Sequence, residues 1–135
     1  MRARLQVFTS ALTVRAARHD ASKLQEPEKS GYDQLTIALK DCEYGSDAYR
    51  AALASLRPVI AHHYEHNTHH PEHYPNGIAG MSLLDIVEML CDWKAASERT
   101  KQGSIAQSLA HNRERFGVDP QLAAIFENTV RELGW

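Results

Sequence analysis

Apolar positions recur at helical spacing along almost the whole chain. Leu5, Phe8, Leu12 and Ala16 lie within an Ala-, Leu- and Arg-rich run, which predicts a helix over residues 2–18. It ends at His19-Asp20, and residues 21–26 read as a short connection. Pro27 suits the first turn of a second helix, about 27–41, with Glu28 in that turn at the positive end of the dipole. Cys42 to Ser46 reads as a turn containing Gly45. A third helix is expected from Ser46-Asp47 to about Asn67. At 100° per residue, Tyr49, Ala52, Leu56, Val59 and Ile60 share one of its faces. His63 lies in the middle of that face and Asn67 one turn further on, with His66 at its edge and His62 and Glu65 pointing elsewhere. Pro58 is expected to bend this helix.

Pro71, Pro75, Asn76-Gly77 and Gly80 mark residues 68–81 as a loop. Ser82-Leu83-Leu84-Asp85 has the spacing of a capping box and opens a fourth helix, about 83–100. That helix is apolar almost all round, which suits a central position. Its polar stripe is narrow: Asp85, Glu88 and Asp92, continuing to Arg99. Gly103 breaks the chain, a fifth helix runs about 104–116 to Gly117, and Asp119-Pro120 opens a sixth, about 120–133. The apolar face of the sixth is Leu122, Ile125, Phe126, Val130 and Leu133. No segment alternates convincingly at period two. The expected class is all-α, a bundle of about six helices in one domain spanning residues 1–135.

Composition narrows the function without naming it. A net charge of −2 offers no basic excess for nucleic acid and no acidic tail. No apolar run reaches the roughly 18 residues of a membrane span, and the N-terminal apolar stretch is interrupted by Gln6, Thr9, Ser10 and Arg15, so it does not read as a secretory signal. Cys42 and Cys91 form no metal-binding or redox spacing and suit reduced cytosolic thiols. A cytoplasmic protein is expected. The apolar terminus Leu133-Gly134-Trp135 suits packing on its own domain or on a neighbouring subunit, which keeps a homo-oligomer open.

The chemistry is concentrated in three places. Six of the eight histidines fall in the stretch from His62 to Tyr74, and imidazole is the commonest protein metal ligand. The adjacent pair His19-Asp20 ends the first helix. Asp92 sits in mid-helix between Cys91 and Trp93, where a buried unpaired carboxylate is costly. A metal accounts for all three placements, and mixed imidazole and carboxylate donors suit Fe, Mn, Co, Ni or Zn more than Ca or Mg. The competing account is a solvated Asp85/Glu88/Asp92/Arg99 face, with His69 and His70 capping backbone carbonyls. His62, His66 and His73 read as exposed or supporting residues, and His111 as a surface residue.

His19-Asp20-Ala21-Ser22-Lys23-Leu24, Pro27-Glu28, the tract from His63 through Asn67, His69, His70, Pro71 and Glu72, and Glu88-Met89 with Asp92-Trp93-Lys94 resemble a family of small HD-like proteins of bacteria and phages. The HD superfamily comprises metal-dependent phosphohydrolases. The resemblance spans nearly the whole chain and implies an HD-type helical fold. It implies His19, Asp20 and Asp92 as the central metal ligands. His63 and His70 would be added ligands, with His69 the alternative to His70, and Asp20 would bridge if two ions bind. In one respect the chain departs from the HD pattern, which begins with a histidine on the first helix; residues 1–18 contain none. Either a later start than the native one or an incomplete site is expected.

The expected function is hydrolysis of a small phosphorylated, nucleotide-like substrate at one or two divalent transition metal ions. Lys23 is placed to offset substrate charge, its alternative being a salt bridge to Glu26 or Glu28. Glu28 and Glu72 are candidates for general acid–base work or for holding ligand histidines. Arg115 suits a phosphate contact or a plain surface role. A di-iron oxygenase and a non-catalytic module with an incomplete site are the alternatives.

Overall fold

The structure is a computed structural model that describes residues 1–39, 46–99 and 102–135. Seven α-helices follow one another: α1 (Arg2–Arg18), α2 (Glu28–Leu39), α3 (Asp47–Ser55), α4 (Arg57–His66), α5 (Leu83–Ser97), α6 (Ile105–Phe116) and α7 (Pro120–Leu133). Short 3-10 turns lie at Ala21–Leu24, Pro71–His73 and Gly77–Gly80, and no strand occurs among the described residues. The fold is all-α, as its periodicity predicts. Among the described residues, no helix is long and apolar enough to cross a membrane. The expected turn at Cys42–Gly45 and the side chain of Tyr49 fall outside the described residues.

The helix expected over 46–67 is two helices. It breaks at Leu56, with Pro58 in the first turn of α4; a proline lacks the N–H that would continue the α3 ladder. The register argument survives within α4, because Leu56, His63 and Asn67 are all buried. α1 departs further from expectation. None of its residues is buried, and Leu5 on the expected apolar face is largely exposed. Among the described elements only α5 packs substantially along α1, so one stripe is covered.

α5 organises the interior. Its Ser82 cap is reciprocal: Asp85 N–H donates to Ser82 Oγ at 3.2 Å and Ser82 N–H donates to Asp85 Oδ2 at 2.8 Å. One face carries Ile86, Met89, Leu90 and Trp93 into a core completed by Ile105, Val118, Ala123 and Phe126. Trp93 meets Phe126 edge-on at 5.8 Å between centroids and lies parallel to Phe116 at 6.1 Å. Not all of α5 is covered, since Leu83 and Cys91 are exposed. The polar stripe turns inward: Asp85 is only 2% exposed, and Glu88 and Asp92 face α1.

α2 lies close on α4 because Gly31 faces Val59; a β-carbon at Gly31 would overlap the Val59 side chain. This approach sets Glu28, one turn earlier on α2, against His62 and His63, one turn later on α4. Gly31→Ala is therefore expected to lower unfolding free energy by about 1–3 kcal/mol from overpacking, although alanine is the better helix former by about 1 kcal/mol. In a Val59→Ala background the same change should be neutral or stabilising. Urea unfolding of the four proteins checks the cycle.

Candidate metal centre

His19 and Asp20 are brought to one place by the chain's exit from α1. His19 leaves helical geometry at ψ 128°, and Asp20 adopts a left-handed conformation, φ 55°, the one non-glycine residue with positive φ among those described. Aspartate tolerates this conformation better than most side chains, though it still costs about 1–2 kcal/mol. The turn that results points both side chains towards α4 and α5. α4 supplies His63. The loop after it supplies His69 and His70, and is tied to α5 by Thr68, whose hydroxyl donates to Asp85 Oδ1 at 2.7 Å.

The inner atoms converge on Asp20. Its Oδ1 lies 3.4 Å from His63 Nε2 and 3.5 Å from His69 Nε2. His63 Nε2 and His70 Nε2 are 2.9 Å apart. Asp20, His63, His69 and His70 each offer one ligand atom, all within 4.8 Å of one another. Donors each about 2.1 Å from one ion stand roughly 3–4 Å apart, so the spacing is that of a ligand set. On the other side, His19 Nε2 lies 3.5 Å from Asp20 Oδ2 and 3.6 Å from Asp92 Oδ1.

Two outer carboxylates decide which nitrogens face inward. Glu28, wholly buried, accepts from His63 Nδ1 and His62 Nδ1, each at 2.8 Å, and from the Ser22 hydroxyl at 2.9 Å. Glu88 Oε1 lies 3.0 Å from His19 Nδ1 and 3.4 Å from His69 Nδ1. An ionised carboxylate only accepts, so each facing Nδ1 carries a proton, and such a ring presents a bare Nε2 to the interior only in its neutral form. Arg15 holds the other Glu88 oxygen at 2.8 Å and Asp85 Oδ1 at 2.8 Å.

The charge states follow from this packing. The Asp92 carboxylate, with Glu88 behind it, holds the His19 imidazolium up at about 10. Burial, with His69 and His63 adjacent, pushes His70 down to about 3, so that ring is neutral. Burial works against ionised Glu88, but hydrogen bonds from His19, His69 and Arg15 outweigh it and keep the group well below the usual carboxylate range. Among the described residues, two buried atoms, Asp20 Oδ1 and His69 Nε2, have no hydrogen-bond partner. Such orphans cost about 1–3 kcal/mol each. A cation between them would satisfy both, so the donor set fits a metal ion.

Of the residues singled out from the sequence, the structure brings together His19, Asp20, His63, His69, His70 and Asp92. His69 and His70 both face the cluster and neither replaces the other. Glu28 stands behind His63, not at an open position. Glu72 does not join them: it pairs with Arg115 at 2.7 Å, and this ties up Arg115 as well. Lys23 bonds to Asp20 Oδ2 at 2.6 Å, not to Glu26 or Glu28, with Nζ 5.5 Å from the Tyr32 ring centroid. His62 and His66 stack at 3.9 Å, His73 donates to the Tyr64 carbonyl, and His111 is exposed. Sequence reasoning left Glu88 and Arg15 without roles. Glu88 precedes Asp92 by one turn on the polar stripe of an apolar helix, which is the signal that finds it.

Fold and site together define an all-α protein with a buried histidine–carboxylate cluster positioned to hold a metal ion. A family model described as a family of unknown function (DUF5662) matches residues 2–132, and the chain belongs to that family. No curated protein and no solved structure matches it.

Two outcomes follow from the outer shell. Glu88→Gln should weaken metal binding by about 10–100-fold, the usual scale for losing such a partner, in calorimetric titration. For His19, a folded-state value of about 10 against an ordinary 6.5 means stability that is complete below about 6.5 and lost as pH rises through about 10. The unfolding free-energy gap between metal-free wild type and His19→Gln should therefore shrink from neutral pH towards pH 10. Metal uptake at neutral pH should release that proton, read as a buffer-dependent binding enthalpy.

Proposed function

We propose that this protein is a metal-dependent phosphohydrolase of HD type, acting in the cytoplasm on a small phosphorylated, nucleotide-like substrate. The observation that carries the reading is the convergence of three histidines and Asp20 on two orphaned buried atoms, with Glu28 and Glu88 aiming the rings from behind. His19, Asp20, His63, His69, His70 and Asp92 would hold one or two ions of Fe, Mn, Co, Ni or Zn. A bound ion of this kind lowers the pKa of a coordinated water and neutralises phosphoryl charge.

The chain's own residues do the rest. Glu28 and Glu88 fix the imidazole tautomers and remove the need for rings to reorient on binding. Lys23, paired with Asp20, is the lysine at the cluster and would offset charge on an incoming phosphate. Glu28 is enclosed and Glu72 is paired with Arg115, so neither carboxylate stands free beside the cluster to handle the proton. Buried Trp93, beside Asp92, anchors α5 in the core and keeps the carboxylate's backbone fixed.

The placement of Asp20, with Oδ1 towards His63 and His69 and Oδ2 towards His19, also suits a bridging carboxylate. It favours a second reading, a pair of irons and dioxygen chemistry, which an iron-loaded, coloured protein with O2 uptake would support. Elemental analysis of protein purified without a polyhistidine tag comes first. Near-stoichiometric metal is expected, falling at least about tenfold in Asp20→Ala and Asp92→Ala, with turnover of a chromogenic phosphoester after loading with manganese or zinc. Sub-stoichiometric metal in wild type, unchanged by Asp92→Ala, would sink both enzyme readings and leave a binding module.

A further inference from the structure

A cavity of about 370 Å3 runs between α1 and α5, within the range of small-molecule sites, roughly 300–1,000 Å3. Its walls are apolar. Leu12 and Ala16 stand one turn apart on α1, and Val87, Cys91 and Ala95 one turn apart on α5. The same cavity is lined by His19 and Asp92, so a molecule seated in it touches the cluster. A larger cavity of about 750 Å3, beside Leu109 and Phe126, is lined by no cluster residue; volume alone does not choose between the two. The arginine in the smaller cavity, Arg15, is already held by Asp85 and Glu88, so the groove walls offer apolar contact and not a second phosphate site.

We propose that the α1–α5 groove is a substrate subsite that takes the apolar moiety of an organic phosphate, an aryl or similarly flat group, while the phosphate lies at the adjoining metal centre. The proposal rests on the phosphohydrolase reading and deepens it by naming the substrate class. The observations behind it are continuity with the cluster, the volume, and the separation of apolar walls from a polar end.

Cys91 supplies a reporter, because its thiol is free, exposed and part of the groove. The manganese-loaded protein is alkylated at mildly alkaline pH, and modification of the Cys91 peptide is followed by mass spectrometry. With 1-naphthyl phosphate present, alkylation should slow at least about fivefold. Glycerol 2-phosphate at the same concentration should leave the rate within about twofold. Burying one apolar group of this size sets that scale. Ala16→Phe, at an exposed helix position that narrows the groove, should abolish the protection. In turnover, kcat/KM for the naphthyl ester should exceed that for the glycerol ester by about tenfold or more, and Ala16→Phe should bring the two close together. Equal alkylation with both phosphates overturns the subsite, even if both esters are hydrolysed. Protection without turnover of either ester keeps the groove as a binding site and overturns the hydrolase reading instead. Alkylation that slows with protein concentration and ignores the ligand shows a second copy seated on the groove, which also overturns the subsite.

Discussion

The structure depends on how it satisfies its buried carboxylates. Glu28 and Asp85 are almost fully removed from water, and an ionised carboxylate there is tolerable only when donors surround it. Asp85 takes its donors from the helix cap, Thr68, Tyr74 and Arg15. Glu28 takes them from His62, His63 and Ser22. An imidazole has two nitrogens, so a ring that spends its N–H outward has a lone pair left for the inside. Satisfying the outer carboxylates thus determines what the centre presents. The metal-ligand character of the interior is a consequence of hydrogen-bond accounting one layer further out.

α5 couples that centre to the stability of the fold. Asp85, Glu88 and Asp92 occupy one stripe, while Met89, Leu90 and Trp93 occupy the opposite face and make the core with α6 and α7. The same helix therefore anchors both the apolar interior and the polar cluster. Arg15 is the cross-link between α1 and this stripe, and through Glu88 it reaches His19 and His69. A change that shifts α5 in the core shifts ligand positions too. A surface change on the exposed side of α1, none of whose residues is buried, is not expected to.

Local patterns in the sequence were enough to read some of this. Three-residue spacing reveals the Ser82/Asp85 cap, and helical register alone places His63 and Asn67 on the buried side. Pro58 announces a disturbance, although only the structure shows that it ends one helix and starts another. Long-range partnerships were not legible. Nor does sequence distance choose the partner of Lys23: Asp20 is as near as Glu26 and nearer than Glu28, and the left-handed turn at Asp20 decides between them. Glu72 sits within the histidine tract, and its pairing with Arg115 on α6 depends on how the loop packs. The pattern gives Asp85 a capping role but leaves a solvated face open beside it, because it cannot say which helix covers the stripe. The HD resemblance supplied a ligand set but no outer shell, so Glu88 stayed unassigned.

The cluster's charge balance gives the clearest physical reason for a cation. Asp20, Glu28, Glu88 and Asp92 bring four carboxylates together, against Arg15 and Lys23 as permanent cations. Half of that deficit is met by His19, which keeps its proton up to about pH 10 because Asp92 and Glu88 flank it. That proton neutralises charge but leaves Asp20 Oδ1 and His69 Nε2 unsatisfied. A divalent ion can perform both tasks, balancing the carboxylates and occupying the space between the orphaned atoms. A metal ion taken up in place of the His19 proton would relieve two costs together. Lys23 is drawn to Asp20 by the same excess of negative charge. On the proposed function, the lysine that compensates the carboxylates of the cluster is also the cation placed to meet a phosphate.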